Sequence, residues 1–354
     1  MSTVLRKMPP MKRPILPIAI TALVLLTVGA GTSSAATFSL AEPFNTPGAL
    51  AAPWVASGTV IPSVVAGEAG DSPINALRLT NSAGNQRGFV LYDEAIPISS
   101  GIDISFHQAQ FGGDGGADGI AFFVKDAADT MTAAGGSGGS LGYSIGRTGG
   151  FPTVDGISGA LLGVGLDGYG NFDQLDSDGT GCTPSGFVRV AGANSIALRG
   201  PGQGLVGYCL LADAVSLRTT ALNPLTNGYL VRSVADRLVR VVIDPATAAD
   251  PKVTVFYEGT QVIQVALPAA FTGVAGVKIG FSAGSGGSTD FHDVWGLTTT
   301  AAPAASAAPA VDAPALAATG PNQTGIIASG VGALLLIIGG ALTLMLTLRR
   351  RRTV

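Results

Sequence analysis

Charge is scarce in this chain. Only 12% of its 354 residues are charged, and the formal net charge is −3. Nucleic-acid binding needs clustered Lys and Arg to meet the phosphates, so the composition argues against that class of partner. Acid–base side chains are thin as well: two histidines, His107 and His292, and four glutamates, Glu42, Glu68, Glu94 and Glu258. A glycoside hydrolase flanks its bond with two carboxyls about 5–9.5 Å apart. The Glu-x-Asp-x-x-Glu pattern that such jelly-roll enzymes carry on one strand has no counterpart, because no Glu lies between Glu94 and Glu258. A Ser-His-Asp hydrolase would have to use His107 or His292, and neither follows a Gly-x-Ser-x-Gly elbow set between strand and helix. Cysteine is limited to Cys182 and Cys209. Long helical periodicity with caps is missing between residues 37 and 297.

What is abundant is glycine, 51 residues, together with short alternating runs. Residues 77–80, 102–106, 119–124, 160–166, 187–190, 237–243, 253–257, 261–267 and 277–282 read as strands, punctuated by Gly, Pro, Asn or Asp. Many short strands and no helices predict an all-β protein, an antiparallel sandwich or jelly roll, spanning 37–297 as one domain.

The two ends read differently. Arg6, Lys7, Lys12 and Arg13 precede an apolar run over 15–28, and Ser34-Ala35-Ala36 suits a signal-peptidase site. Residues 1–36 are expected to be a secretory signal peptide. Export would make Cys182 and Cys209 a disulfide, the one intrachain pairing open to them. Residues 298–315 are rich in Thr, Ala and Pro, a stalk with little to bury. From Ile326 to Leu348 the chain is mostly apolar, about 34 Å as a helix and enough to span a bilayer. Arg349, Arg350, Arg351 and Arg352 close it and would stay on the cytoplasmic side.

The stretch 164–178 reads VGLDGYGNFDQLDSD. Asp167, Tyr169 and Asn171 lie two apart, and Asp176 follows five residues after Asn171. A segment leaving a strand offers alternate residues to one side. Here that side would carry a carboxylate, the residue-169 carbonyl and an amide oxygen, with Asp176 returning to close the shell. Calcium takes six to eight such oxygen ligands. Asp, Asn and Gly also serve turns, so a plain polar loop stays open on spacing alone. Asp176-Ser177-Asp178-Gly179 hints at an EF-hand, but no Glu stands at its twelfth position.

This loop resembles the metal loop of L-type (legume-type) lectins, Glu-x-Asp-x-aromatic-x-Asn with a later Asp. The resemblance runs on in order through Ala36-Thr37-Phe38-Ser39-Leu40, Gly88-Phe89-Val90-Leu91-Tyr92, Ala117-Asp118-Gly119-Ile120-Ala121-Phe122-Phe123, Gly138-Gly139-Ser140-Leu141-Gly142, Ile279-Gly280-Phe281-Ser282-Ala283 and Trp295. It implies a concanavalin-like jelly roll with calcium on Asp167, the Tyr169 carbonyl, Asn171 and Asp176. The Glu that holds the family's second, transition metal falls on Gly165, and its His partner falls near Gly181, so that second site is expected to be lost. The resemblance also implies a carbohydrate site. Asp118, after a cis peptide bond from Ala117, the Gly139 amide and calcium-held Asn171 would take the sugar hydroxyls. Tyr169 would be the aromatic platform, and the variable loop 284–290, with Gly287 and Ser288, would shape the pocket.

The tail resembles a sortase sorting signal of Gram-positive bacteria, here Leu316-Ala317-Ala318-Thr319-Gly320 with Ala317 in place of the common Pro. That implies cleavage between Thr319 and Gly320 and attachment to peptidoglycan within the segment 316–354, with a plain transmembrane anchor as the alternative. The expected protein is therefore a non-enzymatic, calcium-dependent glycan-binding domain on the outer surface of a Gram-positive bacterium. The competing expectations are a jelly-roll glycoside hydrolase and an adhesin of lectin fold that binds protein.

Overall fold

The computed structural model describes residues 38–67, 71–183, 192–214 and 228–301. The expected signal peptide, the strand at 187–190, most of the stalk, the sorting pentapeptide and the apolar span lie outside the described residues. Among those described, no helix is long and apolar enough to cross a membrane.

Nineteen strands are described. The first seven are β1 Phe38–Glu42, β2 Trp54–Gly58, β3 Ser63–Ala66, β4 Asn75–Thr80, β5 Arg87–Pro97, β6 Ile102–Phe111 and β7 Gly119–Asp126. Then come β8 Gly146–Thr148, β9 Phe151–Val154, β10 Ala160–Asp167, β11 Ser195–Arg199, β12 Gly202–Gln203, β13 Val206–Gly207 and β14 Leu210–Asp213. The last are β15 Arg237–Ile243, β16 Lys252–Tyr257, β17 Thr260–Ala266, β18 Gly276–Gly284 and β19 Phe291–Ala301. One four-residue helix, α1 Arg232–Ala235, precedes β15.

All these strands pair antiparallel, in two large sheets and one hairpin. An eight-stranded sheet runs β17-β16-β15-β6-β19-β4-β3, with β1 also on β19. A nine-stranded sheet runs β13-β12-β10-β7-β18-β5-β2, with β11 on β10 and β14 on β11. The hairpin is β8-β9. β19 continues past the expected domain end at Leu297, because Phe38 to Glu42 pair with Ala301 to Leu297.

Alternation explains how the sheets stack. In β15, Arg237, Val239, Val241 and Ile243 are buried while Leu238 and Arg240 between them are exposed. The buried apolar residues among these meet the inner face of the other sheet, where Phe106 of β6 packs against Phe122 of β7 at 5.6 Å and Phe281 of β18 at 4.9 Å between ring centroids. Central strands of the nine-stranded sheet are buried on both faces instead. Val90, Phe122 and Val124 enter the inter-sheet core, whereas Phe89, Leu91, Ala121 and Phe123 face outward into a second apolar cluster with Leu141, Tyr143, Phe172 and Tyr208. Strands covered on both faces read as continuous apolar runs, as β7 does. The loops that make this second cover also carry the site.

Candidate functional site

Three strands of the nine-stranded sheet end in one row. Asp167, the last residue of β10, lies opposite Gly119, the first of β7, and Gly119 lies opposite Gly284, the last of β18. The segments 168–178, 112–118 and 285–290 therefore leave the sheet side by side. The turn Gly138–Ser140 joins them, with Gly138 N donating to Ser285 O at 3.2 Å. Four segments far apart in sequence thus meet at one end of the sheet.

Asp118 sits at the centre. Its peptide bond with Ala117 is cis. Its own N–H donates to Gly284 O at 3.1 Å, and its carbonyl accepts Tyr169 N–H at 3.0 Å, which ties the metal-like loop to it. The side chain is 3% exposed, and its Oδ2 has no hydrogen-bond partner among the described residues. Burial pushes the carboxyl up to about 6, against the Asn171 side chain and the Gly286 N–H, which favour the charged form.

Gly139 and Asn171 touch. A Cβ on Gly139 would run into the Asn171 carboxamide, so this close approach needs glycine. Asn171 Oδ1 is buried and, like Asp118 Oδ2, lacks a partner. Buried oxygens of this kind are rare unless water or an ion meets them. Tyr169 is half-exposed on the same loop. Gly287 is exposed at the tip of the loop 285–290, while Ser288 packs against Gly115. The structure therefore brings Asp118, Gly139, Asn171, Tyr169, Gly287 and Ser288 to one end of the sandwich.

The expected cation ligands divide into two kinds. Asp167 is fully buried, and its two oxygens accept the N–H groups of Gly170 at 2.7 Å and Phe172. Burial pushes this carboxyl up to about 7, the two N–H groups act against that, and the Asp118 and Asp173 charges add to it. Asp176 is exposed and shares a cleft of about 390 Å³ with Asn171 and Gly139. Among the described residues no group of three His, Cys, Asp or Glu side chains is placed to hold a metal. The donors on offer are two carboxylates, an amide oxygen and a backbone carbonyl. That oxygen-only set, with the orphaned Asn171 Oδ1, fits a hard cation such as calcium. It lacks the imidazole and thiolate ligands that zinc, copper and nickel favour. At Gly165, where a Glu ligand would stand, a side chain would run into the Phe172 ring.

Two cations that the sequence reading did not single out hold this loop. Arg199 of β11 is fully buried with its Cζ 5.1 Å from the Phe172 ring centroid. It donates to Phe172 O at 2.7 Å, Gln174 O at 2.8 Å and Tyr208 O at 2.6 Å, and pairs with the Asp178 carboxylate at 2.6 Å. Arg147 of the β8-β9 hairpin donates to the carbonyls of Asp176 and Asp178, each at 2.8 Å, and of Gly150 at 3.0 Å. Neither role had a signal in the sequence, since backbone carbonyls carry no residue type. The expected disulfide is present: Cys182 and Cys209 are joined, and no described cysteine is free.

No protein-family model matches the sequence, and no curated protein sequence does either. Among solved structures, the chain is similar to peanut lectin with a nine-residue peptide, at 22% identity over 76% of this chain and 100% of that one, with a TM-score of 0.45. It is similar to the VIP36 exoplasmic/lumenal domain in its Ca2+/Man3GlcNAc-bound form, at 18% identity over 77% and 90% of the two chains, TM-score 0.42. The Emp47p carbohydrate recognition domain is similar at 14% identity over 74% and 93%, TM-score 0.43.

Proposed function

We propose that this protein is a non-enzymatic, calcium-dependent carbohydrate-binding domain. One observation carries the reading: Asp118, Gly139 and Asn171, from three separate segments, converge with two buried oxygens left without partners. A carboxylate can accept bonds from two sugar hydroxyls while a nearby amide N–H donates to one of their oxygens, and charge-assisted bonds are the stronger kind. Asp167, the Tyr169 carbonyl, Asn171 and Asp176 would hold calcium, which supplies a fixed positive charge that keeps the Asn171 amide oriented. Half-exposed Tyr169 offers a ring for the apolar face of a sugar. In this reading the domain is exported by residues 1–36 and displayed through 298–354 on the wall or membrane of a Gram-positive cell. Many copies on one surface would supply avidity to weak single sites.

The test is a glycan array of the protein with calcium and with EDTA, repeated on Asp118→Asn. The variant keeps the shape of the side chain and removes its charge. Losing a hydrogen bond to a charged group costs about 1.5–3 kcal/mol, roughly a tenfold to hundredfold loss of affinity. No glycan bound in calcium, or equal binding by the variant, sinks the reading. One observation favours the protein-binding adhesin as the second reading: Asp118 is almost fully covered, with Gly286 against its carboxylate. Display is tested by extraction. Resistance to hot detergent and release by a muralytic enzyme would support covalent attachment at Thr319, while full extraction by detergent would support the plain anchor.

A further inference from the structure

We propose that the cleft beside Asn171 selects a negatively charged sugar residue, and that Arg147 makes the selection. The inference rests on the carbohydrate-binding reading and names the class of ligand within it. The cleft of about 390 Å³ is lined by Gly139, Asn171, Arg147 and Asp176 among others. A sugar bound on Gly139 and Asn171 therefore has the guanidinium as a neighbour.

The guanidinium is preorganised and its charge is not cancelled. Three of its five N–H groups go to backbone carbonyls, Nε to Asp176 O, Nη1 to Gly150 O and Nη2 to Asp178 O. Carbonyl acceptors fix the plane of the group and leave its full unit charge in place. One N–H remains on each terminal nitrogen, free to donate to a carboxylate or sulfate. Arg78, Arg199, Arg232 and Arg240 each stand against an Asp carboxylate. Arg147 has no such ion pair among the described residues. Its side chain is only partly buried, so the charge reaches the cleft without the full cost of desolvation. A calcium ion on Asp167 and Asp176 would be balanced by those two carboxylates, which leaves Arg147 as the uncompensated charge among the residues lining this cleft, with the Asp118 carboxylate outside that lining. A neutral hexose does not use that charge, whereas a uronic acid or a sulfated sugar does.

The experiment uses a glycan array with matched neutral, uronic-acid and sulfated members, followed by calorimetry on the best charged hit and its neutral congener. The wild type is expected to prefer the charged member by about 10- to 100-fold, and the preference should shrink as ionic strength rises. Uronic acid and sulfated arms separate the two sources of charge. In Arg147→Gln, which also loses the bonds to the Asp176 and Asp178 carbonyls, both affinities should drop and their ratio should fall to near one, while Arg147→Lys should keep part of the ratio, having the charge without the fork. Hits confined to neutral glycans, or an unchanged ratio in Arg147→Gln, overturn this proposal and leave the carbohydrate reading standing. No glycan bound in calcium overturns the carbohydrate reading and this proposal with it. Should Arg147→Gln fail to fold, the wild type decides alone: a charged preference insensitive to salt overturns the proposal.

Discussion

The outer face of each sheet is organised around a fully buried arginine, and the two are solved differently. On the eight-stranded sheet, Arg232 meets Asp293 through two nitrogens at 2.9 and 2.8 Å, and the same carboxylate takes Arg78 at 2.8 and 2.9 Å. Arg78 sits on β4 and Asp293 on β19, so the charges are matched by side chains fixed on paired strands. On the nine-stranded sheet, Arg199 meets one carboxylate and three carbonyls, two of them within the loop that follows β10. The first cluster ties β4 to β19 and, through Arg232, ties α1 to β19 and to the carbonyls of Pro73 and Ile74 at 2.7 and 3.1 Å, away from the site, and serves the fold. The second ties a loop to a strand and decides the shape of the site. A buried guanidinium can thus serve either purpose, and the identity of its acceptors tells which.

The comparison is broken most severely by removing each cation. Arg232→Met and Arg199→Met both leave a buried carboxylate short of its partner, which costs about 3–5 kcal/mol. Urea unfolding should report that loss in both. Calcium should still raise the melting temperature of Arg232→Met and should fail to do so in Arg199→Met, whose loop has lost its backbone anchor. An equal calcium response in the two variants would show that Arg199 is no more than another structural ion.

A smaller effect separates the sheets by pH. His292 of β19 is fully buried, its Nδ1 lies 2.5 Å from Thr80 Oγ1, and burial, with the Arg78 charge, pulls it down to about 3. Its ordinary value is 6.5, so between 6.5 and about 3 the unfolded chain binds the proton and the folded one does not. Stability present above that window is lost as pH falls through it, on the order of a few kcal/mol. Chemical unfolding at stepped pH should show His292→Asn losing less stability than the wild type as pH falls from 6.5 toward 3; the raised Asp118 and Asp167 carboxyls act in the opposite sense in both proteins and cancel in the difference.

The smallest effect on stability sharpens the contrast most. Gly139→Ala places a methyl against the end of the Asn171 side chain, which can turn away, so the unfolding free energy should change by about 1 kcal/mol or less. The same methyl displaces the Asn171 amide, and glycan binding on the array should disappear. Loss of folding instead would mean that the turn is part of the core.

Much of this was legible in the sequence where a side chain carries the signal itself. The alternation over 237–243 predicts β15 to the residue, and the resemblance groups Ala117-Asp118-Gly119 with the loop after Asp167, two segments that the paired ends of β7 and β10 do bring side by side. β11 was not singled out, because Ser195 to Arg199 is buried throughout and shows no period. Tyr143 and Tyr208 come from loops, yet both are fully buried and hydrogen-bonded to distant carbonyls of Gly200 and Ile157. Arg147 and Arg199 were missed for the same reason. Their partners are main-chain oxygens brought close by the fold, and a main-chain oxygen looks alike at every position.

The pairing of β19 has a mechanical consequence. It begins at Phe291, beside the site loops, and ends at Ala301, the last described residue. Along its length it is bonded to β6 on one edge and to β4 and β1 on the other. In the proposed display, a force applied between the site loops and Ala301 is borne along the strand axis over about 35 Å. Its ladder bonds are loaded together in shear rather than peeled one at a time, so the domain resists force best in the direction along which a tethered binder would be dragged.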